Sequence, residues 1–143
     1  MERRNFIKST CQLCLLGAAG LAFPQMLSSC GTTKSSVYKT AIDQNKVSIP
    51  LALFAESNVQ LVRPEGWYYD LAVEKREDGS YAALLMKCTH MDNQLDLSSG
   101  GFSCSMHGSI FDKDGQVKKG PAERPLKHYR TETQEGNLII YIS

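Results

Sequence analysis

Two short segments, each with one cysteine and one histidine, constrain this sequence more than any other feature. Segment 88–90 reads Cys-Thr-His and segment 104–107 reads Cys-Ser-Met-His, with thirteen residues between them. One or two residues between two ligands allow both side chains of a loop to converge on one centre. The whole chain has 3 His, so a histidine-based site can draw only on these two segments and on His128. The pattern predicts one site made from two ligand pairs that the fold must bring together.

The two segments are compatible with three kinds of site. Two thiolates and two imidazoles suit a two-iron cluster in which one iron takes both sulfurs and the other takes both nitrogens. A single tetrahedral zinc is an alternative, although zinc ligands are more often spaced as C-x2-4-C with H-x3-5-H. The third reading is a disulfide between Cys88 and Cys104, which would close a loop of about 15 residues and stabilise the fold by roughly 3 kcal/mol. A disulfide explains neither histidine, and the two-iron reading is therefore favoured.

Beyond these ligands, the sequence resembles the Rieske family of iron–sulfur proteins. Residues 104–111 read C-S-M-H-G-S-I-F, and residues 120–126, G-P-A-E-R-P-L, are similar to the proline loop that covers the cluster in that family. The resemblance extends over about residues 45 to 143. It implies a small all-β domain, an antiparallel sandwich or barrel, with two cluster-binding loops at one tip. It also implies a Rieske-type [2Fe-2S] cluster bound by Cys88, His90, Cys104 and His107, with Ser109 and Pro121 as further cofactor-binding residues.

The sequence departs from parts of the family pattern. Rieske proteins of quinol-cytochrome c reductases carry an extra cysteine in each ligand segment, and Asp92-Asn93 and Met106 occupy those places here. In the high-potential group a serine and a tyrosine after the second histidine donate hydrogen bonds to cluster sulfur. Ser109 is retained, whereas Phe111 replaces the tyrosine. Because such hydrogen bonds stabilise the extra electron, we expect a potential in the middle of the family range of roughly −150 to +300 mV.

Short strands separated by turn signals fill the rest of the domain. Segments 68–75 and 81–87 alternate apolar and polar residues around Asp78-Gly79, which is typical of a hairpin. Segment 127–134 is expected to pair with segment 138–142. No long part of the chain after the leader has helical periodicity. This pattern also predicts a small all-β sandwich or barrel.

The first 29 residues have the pattern of an export signal. Residues 3–8, Arg-Arg-Asn-Phe-Ile-Lys, resemble the bacterial twin-arginine signal. Glu2 stands where that signal usually has serine or threonine, so the basic region of a general secretory signal is the alternative. The apolar stretch 11–23 is shorter than the roughly 20 residues that a membrane-spanning helix needs. We expect a signal peptide over residues 1–29.

Residues 27–30, Leu-Ser-Ser-Cys, resemble a lipoprotein box, in which the signal is cut before a cysteine that becomes lipid-modified. The alternative is a free Cys30 in a discarded or disordered leader. Two acyl chains hold a protein stably on a bilayer. We therefore expect lipidation at Cys30, a flexible tether over residues 30–44, a Rieske domain over residues 45–143, and a location on the periplasmic side of a bacterial membrane.

The same observations limit the function. The chain has 16 Lys and Arg against 15 Asp and Glu, so no nucleic-acid partner is expected. A ring-hydroxylating oxygenase needs a second iron held by two histidines and a carboxylate, but only His128 remains in this chain. The first candidate is one-electron transfer in the iron–sulfur subunit of a quinol-oxidising respiratory complex, or with a periplasmic donor or acceptor protein. Alternatives are the small subunit of a periplasmic oxidoreductase of the arsenite-oxidase type and, less favoured, a zinc-binding module without redox function. No independent catalytic site is expected.

Overall fold

A computed structural model describes residues 36–143. The predicted signal, the lipidation site Cys30 and the first part of the predicted tether lie outside the described residues. One short 3-10 helix, Leu51–Phe54, occurs in the described part, and no helix there is long and apolar enough to cross a membrane. The strands of this part are β1 (Val37–Thr40), β2 (Lys46–Pro50), β3 (Val59–Pro64), β4 (Leu71–Lys75), β5 (Tyr81–Leu85), β6 (Asp96–Ser98), β7 (Gly101–Ser103), β8 (Ile110–Asp112), β9 (Val117–Lys119), β10 (His128–Gln134) and β11 (Asn137–Tyr141).

These strands form two sheets. The larger sheet has the order β1-β3-β4-β5-β10-β11-β2, and the smaller has the order β6-β7-β8-β9. Neighbouring strands are antiparallel except for the parallel pair β1 and β3. The Thr40 hydroxyl on β1 donates to the Ser48 carbonyl on β2 at 3.1 Å, which joins the two outer strands of the larger sheet. The predicted all-β fold is therefore confirmed, and the larger sheet is nearly closed into a barrel.

The folded part begins earlier than the sequence predicted. Val37 to Thr40 pair with Leu61 to Pro64 of β3, within the segment 30–44 that was expected to be a flexible tether. Tyr38 packs against the core of the larger sheet. Valine and tyrosine favour strands, but the residues around them are polar, so the sequence pattern did not predict this short strand. The boundary at residue 45 is thus corrected to about residue 37.

Strands β4 and β5 form the predicted hairpin, with Gly79 in the left-handed region at φ +82°. Three consecutive residues of β4, Leu71 to Val73, are all buried. Leu71 and Val73 face the core inside the larger sheet, whereas Ala72 faces a second core that the smaller sheet covers. Because this part of β4 is covered on both faces, its first three residues are all apolar instead of alternating with polar ones.

The second core contains both cysteines of the ligand segments. It is formed by the segment between β5 and β10, which carries the smaller sheet and packs on the outer face of β4 and β5. Strands β5 and β10 are themselves paired, with His128 opposite Leu84 and Tyr129 opposite Ala83. The segment therefore leaves and re-enters the larger sheet at neighbouring strands. The buried residues of the second core, including those on the larger sheet, are Ala72, Leu84, Met86, Cys88, Leu95, Phe102, Cys104, Phe111, Ala122 and Leu126.

Candidate metal centre

Two loops with the same backbone hydrogen-bond pattern carry the cysteines and histidines. In ligand loop 1 (residues 88–93), the Cys88 carbonyl accepts from the Asp92 N–H at 2.9 Å, and the Cys88 N–H donates to the Asn93 carbonyl at 2.8 Å. In ligand loop 2 (residues 104–109), the Cys104 carbonyl accepts from Gly108 at 2.9 Å, and the Cys104 N–H donates to the Ser109 carbonyl at 2.8 Å. The fifth residue of each loop, Asp92 or Gly108, has a positive φ, of 55° and 77°. Each loop thus closes tightly on its cysteine.

The four predicted ligand residues come together in two layers. Cys88 and Cys104 are buried, with exposed fractions of 0% and 2%, and both are free thiols, so the disulfide alternative is not formed. His90 and His107 are exposed, and their ring centroids are 5.0 Å apart at an interplanar angle of 81°. The third histidine, His128, lies on β10, where its Nε2 is 2.9 Å from the Asp114 carbonyl oxygen. The site therefore has thiols inside and imidazoles outside.

Two thiols and two imidazoles are the donor set of a mixed-ligand two-iron cluster. A structural zinc site requires four such ligands around one centre. A two-iron cluster with mixed ligands requires only two protein ligands on each iron. Two buried thiols beside two exposed imidazoles match that requirement.

The segment 120–126, here called the proline loop, is tied to both ligand loops. The Thr89 hydroxyl donates to the Arg124 carbonyl at 2.6 Å. The Ala122 N–H donates to the Ser109 hydroxyl oxygen at 3.0 Å. Pro121 is exposed and follows Gly120 through a cis peptide bond. The proline loop therefore fixes the two ligand loops relative to each other, and a contact from Pro121 to the cofactor stays a prediction.

Ser109 is placed to donate a hydrogen bond. Its side chain is fully buried, and its oxygen already accepts from the Ala122 N–H. Its hydroxyl hydrogen has no acceptor among the described residues and is free for one outside the protein. Phe111 is also fully buried, and it packs in the second core.

An ion pair that sequence reasoning missed supports the strand leading into ligand loop 1. Arg63 binds the buried Asp70 through two hydrogen bonds, of 2.6 Å from Nε and 2.9 Å from Nη2. These hydrogen bonds, with the nearby negative charge, raise the pKa of Arg63 above its usual value. The backbone of Asp70 accepts from the Met86 N–H at 2.9 Å and donates to the Gln94 side chain at 3.2 Å. Asp70 thus holds both flanks of ligand loop 1.

Tyr69 also supports ligand loop 1 and was not predicted. Its hydroxyl donates to the Asp92 carbonyl, and its ring lies beneath the ammonium group of Lys87 at 5.4 Å. Lys87 in turn pairs with the Asp92 carboxylate at 3.0 Å. Asp92, with its left-handed backbone, is therefore held through both its carbonyl and its side chain. No local sequence signal marks Tyr69 for this role.

The protein-family model of the Rieske [2Fe-2S] domain matches residues 51–130 of this chain. The cytochrome b6-f complex iron-sulfur subunit of Chlorobaculum tepidum is 28% identical over 76 residues, which cover 52% of this chain and 42% of that protein. The ubiquinol-cytochrome c reductase iron-sulfur subunit of Rhodobacter capsulatus is 36% identical over 61 residues, covering 38% of this chain and 31% of that protein. The chain spans less than half the length of these relatives.

A solved structure shows the same fold. The plasma membrane Rieske protein of the cyanobacterium Synechocystis PCC 6803 superposes with a TM-score of 0.54 at 26% identity. The match covers 64% of this chain and 93% of that protein. The similarity thus spans nearly the whole cyanobacterial domain.

Proposed function

This chain belongs to the Rieske [2Fe-2S] family, and from that membership we propose that it transfers single electrons between redox partners. Its cofactor is a Rieske-type [2Fe-2S] cluster, which accepts and releases one electron at a time when bound. The observation that carries the proposal is the pair of matching ligand loops, which set two buried thiols beside two exposed imidazoles.

The side chains of the site have distinct tasks in this proposal. The cysteines Cys88 and Cys104 bind on the side of the second core, where apolar neighbours keep water away from the sulfurs. The imidazoles of His90 and His107 bind on the outer side and present their edges to a partner. Met91 and Met106, the sequence neighbours of His90 and His107, are 60% and 67% exposed and add apolar surface to the two ligand loops. Electrons can therefore enter or leave by a short path through the histidine side of the tip.

Anaerobic reductive titration of the purified full chain, made with active cluster assembly, tests the proposal. We expect one electron per chain and the electron paramagnetic resonance signal of a reduced mixed-ligand [2Fe-2S] cluster. A protein that takes up no electron, or that contains zinc instead of iron, would exclude electron transfer.

The partner that we propose is a quinol-oxidising respiratory complex, in which this chain is the iron–sulfur subunit. The relatives named above are subunits of cytochrome b6-f and quinol-cytochrome c reductase complexes, which supports this assignment. A second candidate is the small subunit of a periplasmic oxidoreductase of the arsenite-oxidase type. It is favoured by Asn93 and Met106, because they replace the extra cysteines of the quinol-cytochrome c reductase pattern. Capture of the protein from membranes, followed by spectroscopic assay of quinol and soluble donors, separates the two candidates.

We also propose that residues 1–29 direct export and that Cys30 anchors the mature chain by lipid on the periplasmic side of a bacterial membrane. The twin-arginine route carries folded, cofactor-loaded proteins, and an iron–sulfur cluster is inserted in the cytoplasm. The signal and the metal centre therefore support the same location.

Two substitutions in the leader test this location. Changing Arg3 and Arg4 together to lysine is expected to leave the folded protein, with its cluster, in the cytoplasm. Cys30→Ser is expected to release the protein from the membrane fraction or to leave it uncleaved. Cell fractionation with iron analysis measures both, and Lys8→Arg serves as a control that keeps the arginine pair. Normal export of the double lysine variant would reject the twin-arginine route.

Ser109→Ala is expected to lower the reduction potential by tens of millivolts. The free hydroxyl hydrogen of Ser109 can donate to the cluster, and such a bond is stronger when the cluster carries the extra electron. For one electron, 59 mV corresponds to about 1.4 kcal/mol, so one ordinary hydrogen bond gives a shift of this size. The substitution also leaves the Ala122 N–H without its acceptor, which is expected to lower the free energy of unfolding by roughly 1 to 3 kcal/mol.

Protein-film voltammetry and urea unfolding measure the two effects of this substitution. Ser98→Ala, which removes an exposed hydroxyl from β6 of the smaller sheet, is the control and is expected to change neither quantity. A potential that is unaltered by Ser109→Ala would show that the hydroxyl points away from the cluster.

A further inference from the structure

A groove of about 310 Å³ lies beside ligand loop 1. Ligand loop 1 contributes one wall, and the proline loop with the residues that follow it contributes the other. Cys88, a proposed cluster ligand, lies in its lining. Neither His90 nor His107 lines the groove, so an occupant would sit next to Cys88 without covering the exposed imidazoles.

The groove is positively charged although the domain is not. Lys87, Arg124 and Lys127 line it together with one acidic residue, Asp92, which already pairs with Lys87 at 3.0 Å. Arg124 and Lys127 form no ion pair with any residue in the described range. Residues 36–143 carry 12 basic and 14 acidic side chains, a net charge of −2. Positive charge is thus concentrated here against the overall sign of the domain.

Hydrogen bonds hold the positive residues in place. The Arg124 carbonyl accepts from Thr89 of ligand loop 1 at 2.6 Å, and the Lys127 carbonyl accepts from the Leu85 N–H at 2.9 Å. The ammonium group of Lys127 also lies 4.6 Å from the centre of the Tyr129 ring. The charges are consequently presented by a backbone that is already ordered, which reduces the entropy lost on binding.

Exposed apolar side chains also lie on and beside ligand loop 1. Tyr68 is 77% exposed and packs edge-on against Tyr69, whose hydroxyl binds the carbonyl of Asp92 in the groove lining. Met91, in ligand loop 1, is 60% exposed. Tyrosine, methionine and arginine are enriched in protein–protein interfaces. A small anion would use only the charges, whereas a protein partner would use the charges and these side chains together.

We propose that the groove docks an acidic patch of the protein that exchanges electrons with this domain. Carboxylates of the partner would pair with Arg124 and Lys127 and bring the partner's redox centre next to Cys88. The inference rests on the proposed electron-transfer function. It adds the chemistry of the partner and a second contact area beside the histidine tip.

Native and succinylated cytochrome c provide a matched pair of probes, because they share one fold and carry opposite net charges. In each reaction the reduced Rieske protein gives one electron to ferricytochrome c, forming the oxidised Rieske protein and ferrocytochrome c. We expect the rate with succinylated cytochrome c to fall as ionic strength rises. The double variant Arg124→Glu, Lys127→Glu is expected to lower that rate at low ionic strength about tenfold.

The control is the double variant Lys39→Glu, Lys75→Glu, which makes the same change in net charge away from the groove. Its rate with succinylated cytochrome c is expected to stay within about twofold of the unmodified chain, since local charge controls docking. Equal losses in both double variants would overturn the proposal, because only net charge would then matter. If inorganic phosphate, added at constant ionic strength, abolishes the difference in rate between the two double variants, the groove would instead be assigned to a small anion.

A second readout does not depend on electron transfer. Carbodiimide joins lysines to carboxylates that touch them, so Lys87 and Lys127 are expected to cross-link to succinylated cytochrome c in preference to Lys39 and Lys75. Cross-linking at the groove without electron exchange would support docking and contradict the proposed function. Electron exchange with random cross-linking would support the function and overturn docking at the groove.

Discussion

His107→Ala is expected to abolish the [2Fe-2S] cluster. The unmodified chain should contain close to two iron and two acid-labile sulfide per molecule, and the variant should contain neither. Each iron has only two protein ligands in the proposed arrangement, so the loss of one leaves an open coordination position at the exposed tip. The same effect is expected for Cys88→Ala and Cys104→Ala, since no further cysteine is present in residues 36–143. It is also expected for His90→Ala. Iron and sulfide assays with absorption spectra measure the result.

The matched control for this prediction is His128→Ala. His128 is exposed on β10 and contacts the Asp114 carbonyl, outside the ligand loops. The control should retain full iron and sulfide content. A cluster that persists in His107→Ala, or is lost equally in His128→Ala, would contradict the assigned ligand set.

Gly101→Ala is expected to destabilise the smaller sheet by about 3 kcal/mol or more. Gly101 begins β7 with φ at +142°, a conformation that residues with a side chain rarely adopt. A Cβ there would overlap the Phe111 carbonyl oxygen and would lie 2.5 Å from the carbonyl carbon of Asp112, both on the backbone of β8. Strain of this kind and overpacking each contribute roughly 1 to 3 kcal/mol. Because β7 leads directly into ligand loop 2, we also expect reduced cluster content.

Gly100→Ala is the control, since it changes the preceding residue. A Cβ at Gly100 meets nothing within 4 Å, and its backbone is not in the left-handed region. Thermal and urea unfolding, followed by circular dichroism, should show a large loss for Gly101→Ala and little change for Gly100→Ala. Equal stability of the two variants would mean that β7 and β8 can separate without cost.

The sequence was informative about the site because each ligand loop is local. The hydrogen bonds that close each loop join a cysteine to residues four and five positions later, so a short segment contains nearly all the information needed to form it. The partners that hold the loops are distant in sequence. Tyr69 reaches Asp92 across 23 residues, and Thr89 reaches Arg124 across 35. No periodicity or spacing links such pairs, and they could not be predicted.

The fold was predicted where strands meet through short turns and missed where they meet through long connections. The β4–β5 and β10–β11 hairpins have turn residues between strand-like segments, and both are present. Strand β1 pairs in parallel with residues of β3 that lie 24 positions further on, and no turn signal indicates such a pairing. Strand β4 is covered on both faces, a condition that depends on the smaller sheet and not on its own sequence.

The route of the chain between β5 and β10 has a consequence for modular engineering. The two strands are hydrogen-bonded neighbours, so the segment between them begins and ends at nearly the same point of the larger sheet. Insertions whose ends lie close together are the ones that folded domains tolerate best. The whole segment between β5 and β10 could therefore be transplanted into a hairpin of an unrelated β-barrel whose outer face supplies apolar residues at the positions of Ala72 and Leu84. Conversely, a tight turn in its place should leave a barrel that lacks a metal centre but keeps its own interior core.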